Sequence, residues 1–417
     1  MSESPRRALA WVLLAAAGTM ALTMGTRQSL SLFLGPINTA TGLGLGSISL
    51  AFAFGQLWWG LTQPLAGAMA DRYGAGRVLA IGIALVALGI AITPWMGSTA
   101  GLVLAVGVLS AGGAGLAGTA VLMGATVRLV DPARRGFASG VVNAGGSFGQ
   151  FAMAPLAAAL LAGVGWANAL QWMGALVLLA LPAAWVLRGR SAAAPAGAGG
   201  GASAPAGSAG IALPQGFVAG VRAALRVPSY RLLAGGFFVC GFHVAFLGTH
   251  LPGIVASCDL PLAYGAWALG VLGLFNIVGS LAMGWAVGRW RMKSLLSLVY
   301  AVRALAVLVF LLVPKHGTVV LVFAAVMGLS FLSTVPPTAG LVVKLFGPAR
   351  MATLFGVVML THQIGGFLGA WLGGRVFDAT GRYDAVWLVD ILLAVAAALM
   401  HLPIREAPLP RPAAAAN

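Results

Sequence analysis

Charge is what this chain has least of. Charged residues make up 8% of its 417 positions, against about 25% in an ordinary soluble domain, which excludes a water-solvated globular surface. Acids are scarcer still, with eight Asp and Glu in all, beside five His and two Cys. Paired-carboxylate catalysis and clustered metal ligands have almost nothing to draw on, so neither an enzyme nor a metal or other cofactor is expected. The two cysteines cannot staple the chain together: Cys240 and Cys258 would lie about 27 Å apart along one helix. No Gly-x4-Gly-Lys-Ser/Thr loop occurs, which excludes a nucleotide site of that type. Gly113 to Gly118 spells a dinucleotide fingerprint by letters, but it sits in an unbroken apolar run, where small residues serve helix packing.

What is there is apolar length. Hydrophobic residues reach 60% and fall in runs of about 20, enough to cross a bilayer as helices. Breaks at turn residues and charges place twelve spans near 9–35, 45–70, 77–95, 100–127, 135–162, 166–188, 231–255, 263–287, 294–313, 318–345, 350–377 and 384–404. The expected class is an all-α membrane protein with twelve transmembrane helices. The first apolar run, from Ala8 to about Gly35, is too long for a cleaved leader. The net charge of +16 records topology rather than a nucleic-acid partner. With the first helix starting inside, Arg6, Arg7, Arg72, Arg77, Arg128, Arg134, Arg135, Arg289, Arg291 and Lys293 all fall on inner segments, whereas Lys315, Arg375 and Arg382 alone fall on outer ones. That bias places both termini in the cytoplasm. Between the sixth and seventh spans lies RGRSAAAPAGAGGGASAPAGSAG, whose small residues and prolines read as a tether. The following LPQGFVAGVRAALR reads either as a helix along the membrane surface or as an ordinary lead into the next span.

A repeat relates the two sides of the tether. Gly25 and Gly241, Pro36 and Pro252, and the triplets at Gly140 and Gly356 are all separated by the same offset. The chain therefore divides into a six-helix bundle over 1–188, a cytoplasmic linker over 189–230 and a second six-helix bundle over 231–417. After the second span comes GAMADRYGAGR. Gly67 allows close helix approach, Gly74 allows a tight turn, and Asp71 can meet a helix N-terminus or a basic residue across the half, a latch that breaks when the inner side opens. Parallel halves and this loop resemble the major facilitator superfamily, in which Gly67, Asp71, Arg72, Gly74 and Arg77 match the loop signature. That resemblance implies transport by alternating access around a central cavity lined by the first, fourth, fifth, seventh, tenth and eleventh spans.

RRGFASGVVNAGGSFGQFAMAPL from Arg134, GTRQSLSLFLGPI in the first span and GGRVFDATGRYDAVW near the end resemble bacterial members of the monocarboxylate porter group and related organic-anion carriers. In that group a first-span lysine contributes to substrate recognition, and its position falls at or beside Arg27-Gln28. The group's eighth span carries an acid and, four residues on, an arginine that holds the substrate carboxylate. Here Asn276 and Ser280 stand at those positions, a departure that removes the pair.

A charge near the bilayer centre costs on the order of 2.5–3.5 kcal/mol on insertion scales, so each one requires a reason. Arg27 is the candidate for holding an anion, the alternative being a structural arginine that snorkels to the membrane surface. Arg303 and Asp390 fall on peripheral spans, and each is expected to be structural. His243 is the repeat mate of Arg27, and His362 with Gln363 lies on a cavity span; the two histidines either carry a coupling proton or serve packing. Asn143 and Gln150 share one face of the fifth span and bond either a substrate or each other's neighbours. Asn276 completes the candidate set, and His250 is a gate candidate near the outer mouth. The expectation is a monomeric carrier in a bacterial inner membrane, moving a small organic anion, a carboxylate, with protons as a possible co-substrate. The alternative is a proton-linked exporter of drugs or metabolites; a transporter-like sensor without flux is disfavoured by the short tails.

Overall fold

The structure, a computed structural model, describes residues 5–129, 135–188, 217–347 and 351–406. It is helical throughout, with no strand among the described residues. Ten segments are long and apolar enough to cross a membrane. One of them, Gly140–Val186, breaks at Gly165, whose φ of 79° only a residue without Cβ adopts freely. With that break and the helix Leu45–Tyr73, twelve helical rods follow one another along the described chain.

These rods are labelled in order. α1 is Pro5–Ser29, continued through a tight turn at Leu30–Phe33 into Leu34–Thr41. α2 is Leu45–Tyr73 and α3 is Ala75–Ile92. α4 is Thr99–Thr126, with Val103–Ser110 in the wider π form. α5 and α6 are 135–164 and 166–186, on either side of Gly165. The second half has α7 at Pro228–Ala256, α8 at Leu262–Val287 and α9 at Met292–Leu312. α10 is Gly317–Phe346, interrupted between Ser330 and Val335. α11 is Met351–Thr380 and α12 is Asp384–His401.

The first span runs further than expected, because Pro36 falls in the first turn of Leu34–Thr41, where its missing N–H leaves no bond unmade. The tether over 189–216 lies outside the described residues. The last part of the expected linker is structured: Phe217–Leu225 is a separate helix, and α7 already begins at Pro228.

Small residues set the packing. α1 lies against α5 with Gly25 backed onto the Gly149 backbone and Gly145 onto that of Ala17. α7 lies against α11 in the same way, through Gly241, Gly365 and Gly369. These are the interfaces that side-chain volume would force apart. Across the halves, α2 packs on α11 and α5 on α8.

Candidate functional site

The two cross-half pairs diverge along their length, and that divergence shapes the site. At the Leu45 end of α2, an added Cβ at Gly46 would meet Arg375 and Asp378 of α11, and Gly374 of α11 abuts Ser49. Midway, Gly60 faces the side chain of Gln363. Two turns further on, at Gly67 and Gly356, nothing lies within 4 Å. The α5–α8 pair repeats the pattern. Gly270 meets Phe151, Gly273 meets Gln150, and Asn276 Nδ2 donates to Ser147 Oγ at 3.1 Å. Beyond them Gly140 and Gly284 again have nothing within 4 Å. The halves thus touch at the Leu45 end and splay at the Tyr73 end.

The closed end is held by a contact the sequence did not advertise. α2 starts at Gly44 with no side-chain cap of its own, leaving its first N–H groups without partners inside the helix. Asp378 supplies the cap from the other half: its carboxylate accepts from Leu45 N at 2.8 Å and Gly46 N at 2.6 Å. A carboxylate at a helix N-terminus also meets the positive end of the helix dipole.

Between the closed and the splayed ends lies a cavity of about 670 Å³. Arg27, Gln28, Asn143, Gln150, Asn276 and His362 all line it. Arg27 donates to Gln56 Oε1 at 2.5 Å and lies 4.9 Å from the centre of the Trp59 ring, an arrangement that orients a guanidinium against an aromatic face. Among the described residues no carboxylate comes within ion-pair distance of it. Gln150 Nε2 and His362 Nδ1 are buried without partners. Asn276 is a linchpin rather than a free group: besides Ser147, it accepts from Leu332 N at 3.1 Å and from Ser280 Oγ at 3.4 Å. Much of the remaining wall is apolar, including Met20, Met24, Phe52, Phe237, Phe355 and Met359.

Two expected cavity residues are elsewhere. His243 does not line the cavity, because its side chain turns into the second half, where Nε2 sits 3.1 Å from Asp390 O and 3.2 Å from Asp390 Oδ1. α7 is buried nearly all round, so sharing a register with Arg27 did not mean sharing a surface. Gln363 is packed between α11 and α2 at Gly60, one residue past the wall. Gly67, expected at a close helix approach, has open space around it because the helices splay there. Gly74 does take a turn conformation, with φ of 90°. Arg72 and Arg77 are exposed, and the Asp71 side chain lies outside the described ones. His250 is buried against Ala370 O, at 2.7 Å. Arg303 and Asp390 are both buried: Arg303 bonds the backbone of α10 and Asp390 faces His243.

Gln56, Trp59 and Gln63 of α2 also line the cavity. Their signal was present in the sequence. Gln56 and Gln63 are spaced two turns apart, the same spacing that marked Asn143 and Gln150.

The family model of the Major Facilitator Superfamily matches residues 16–370. Monocarboxylate transporter 13 of Rattus norvegicus is 28% identical over 407 residues, covering 96% of this chain and 91% of that protein. The uncharacterized MFS-type transporter YcxA of Bacillus subtilis (strain 168) is 24% identical over 413 residues, covering 96% of each. Among solved structures, a bacterial homolog of the human lysosomal transporter Spinster, in an inward-facing and occupied conformation, superposes with a TM-score of 0.75. It is 15% identical, with 96% of this chain and 97% of that chain covered, and the likeness is one of fold.

Proposed function

The chain belongs to the Major Facilitator Superfamily, and on that footing we propose that it is a secondary carrier of small organic anions, specifically carboxylates with an apolar body. The observation that carries this reading is Arg27. It is a cation on the wall of a central cavity, held in place by Gln56 and Trp59 and facing no acid among the described residues. Gln56 uses part of its five-donor fork, and the remaining N–H groups suit a carboxylate. A fixed positive charge with no counter-ion selects for an anion and against a cation. The aromatic and methionine wall suits an apolar body, while Gln28, Asn143 and Gln150 offer amides for a hydroxyl or oxo group beside the carboxylate. The relatives' printed name, monocarboxylate transporter, agrees with this reading.

The bias of basic loops supports a topology with the Tyr73 end, both termini and the tether on the cytoplasmic side. The described state is then open inward and closed outward. Transport would exchange the α2–α11 and α5–α8 contacts at the Leu45 end for new ones at the other. A thermal-shift screen on purified protein tests the substrate class: carboxylates should raise the apparent melting temperature and their uncharged amides should not. Stabilisation by amides and cations equal to that by carboxylates would refute it.

A further inference from the structure

Three ionisable groups lie deep in the second half, outside the cavity. His243 on α7 and Arg303 on α9 are each 1% exposed, and Asp390 on α12 is 0% exposed. Buried charges are costly unless paired or put to use. We propose that His243 and Asp390 are the proton-binding site of this carrier, and that Arg303 links that site to the cavity through the interruption in α10. This rests on the reading of the chain as a carrier.

The proton's place is set by which atoms are already occupied. His243 Nε2 stands within hydrogen-bond distance of two oxygens of Asp390, the backbone carbonyl and Oδ1. Both accept when the carboxyl is ionised, so Nε2 carries the hydrogen. Nδ1 on the other side of the ring has no partner, and the two Asp390 carboxylate oxygens have no hydrogen bond elsewhere. Nδ1 and the two carboxylate oxygens are therefore open, and a proton taken up by the pair binds at one of them, with Nε2 and Oδ1 3.2 Å apart. The neighbouring titratable groups are committed otherwise. From α9, the Tyr300 hydroxyl donates to Gly236 O at 2.5 Å. From α12, His401 Nδ1 pairs with Ala397 O at 2.6 Å, and on α7 itself Cys240 pairs with Thr334 Oγ1 at 3.0 Å. From α11, His362 faces the cavity.

Arg303 makes the connection. Its guanidinium lies 5.3 Å from the centre of the Tyr300 ring, and the His243 ring packs against the same ring with centroids 6.4 Å apart. The guanidinium also donates to Ser330 O and Phe331 O, the carbonyls left open where α10 is interrupted, and to Ser330 Oγ at 3.3 Å. One residue on, Leu332 N donates to Asn276 Oδ1, and Asn276 reaches across to Ser147 of the first half. Phe331, Leu332 and Asn276 all line the cavity. Uptake of a proton by the His243–Asp390 pair adds one positive charge beside the Tyr300 ring that Arg303 also contacts, and the guanidinium's hold on the α10 carbonyls shifts in response. A proton bound behind the wall thus reaches the α5–α8 contact that transport must open and close. The repeat supports the division of labour, because Arg27 and His243 occupy equivalent positions: the first half holds the anion and the second the proton.

Two measurements test this separately. The first uses no substrate: magnetic resonance of isotope-labelled histidine in lipid-embedded protein, with the His243 signal identified by its loss in His243→Gln. That signal should titrate in the parent, and its midpoint should move in Asp390→Asn. The second uses labelled phenyllactate in proteoliposomes, with protein-free liposomes as the blank. Under a gradient of about one pH unit the parent should approach about tenfold accumulation, the limit for one proton per anion. Asp390→Asn and His243→Gln should lose that accumulation but keep phenyllactate counterflow, and Asp390→Glu should recover part of it. A His243 signal that does not titrate, or full accumulation in Asp390→Asn, overturns the assignment. Absence of any phenyllactate flux in the parent counts against the carrier reading for that substrate class, and the resonance experiment then decides the proton site alone. If Asp390→Asn does not fold, titration of His243 in the parent still decides it.

Discussion

Removing the carboxylate charge of Asp378 should loosen the closed end of the molecule. Its two oxygens accept from Leu45 N and Gly46 N at 2.8 and 2.6 Å, across the boundary between the halves. Hydrogen bonds to a charged group contribute about 1.5–3 kcal/mol each when shielded. Asp378 is exposed, so water competes and the lower end of that range applies. Asp378→Asn keeps one acceptor, and loses the charge and its attraction to the helix dipole, itself about 0.3–1 kcal/mol. A net loss of about 1–2 kcal/mol follows, which shifts the balance between closed and open ends by about 5- to 30-fold. No other side chain caps α2, so nothing local compensates. Spin labels at the exposed positions Ala40 and Ala385, with Cys258→Ser, report the separation of the halves at this end. The parent should give one short distance distribution, and Asp378→Asn should add a longer one. Identical distributions in a folded variant would mean that this contact does not hold the end closed.

Trp59→Ala should weaken carboxylate binding by about 5- to 30-fold, because the ring that orients Arg27 contributes about 1–2 kcal/mol in a partly desolvated site; an unchanged Kd from calorimetry would remove Trp59 from the site. Gly149→Val should sharply reduce the yield of folded protein, since its side chain would run into the Ala21 backbone of α1 and overpacking costs about 1–3 kcal/mol. Fluorescence size-exclusion profiles read this directly, and a normal monodisperse peak would show that α1 and α5 can move apart.

Much of the architecture was written in the sequence because a bilayer leaves few choices. Long apolar runs must be helices, the two-turn spacing of Asn143 and Gln150 put them on one face of their span, and the cost of a charge inside a membrane singled out Arg27. What the sequence hid were contacts made at a distance. Asp378 caps a helix more than 300 residues away, and no local pattern separates such an acid from an ordinary loop charge. His243 misled for the opposite reason: it repeats the register of Arg27, but α7 is enclosed on nearly every side, so its inward direction is another helix and not the cavity. Gln56 and Gln63 were legible by their two-turn spacing on α2, as Asn143 and Gln150 were on α5.

The central claim is that Arg27 holds the substrate's carboxylate. Calorimetric titration of phenyllactate into the parent, Arg27→Lys and Arg27→Ala tests it most directly. A partly buried charge pair broken on one side costs about 2–5 kcal/mol, so Arg27→Ala should bind at least about 30-fold more weakly. Arg27→Lys should fall between, keeping the charge but losing the planar fork. All three proteins should insert and purify alike, because losing a charge from a membrane span eases insertion. Equal affinity for phenyllactate in the parent and in Arg27→Ala would contradict the account.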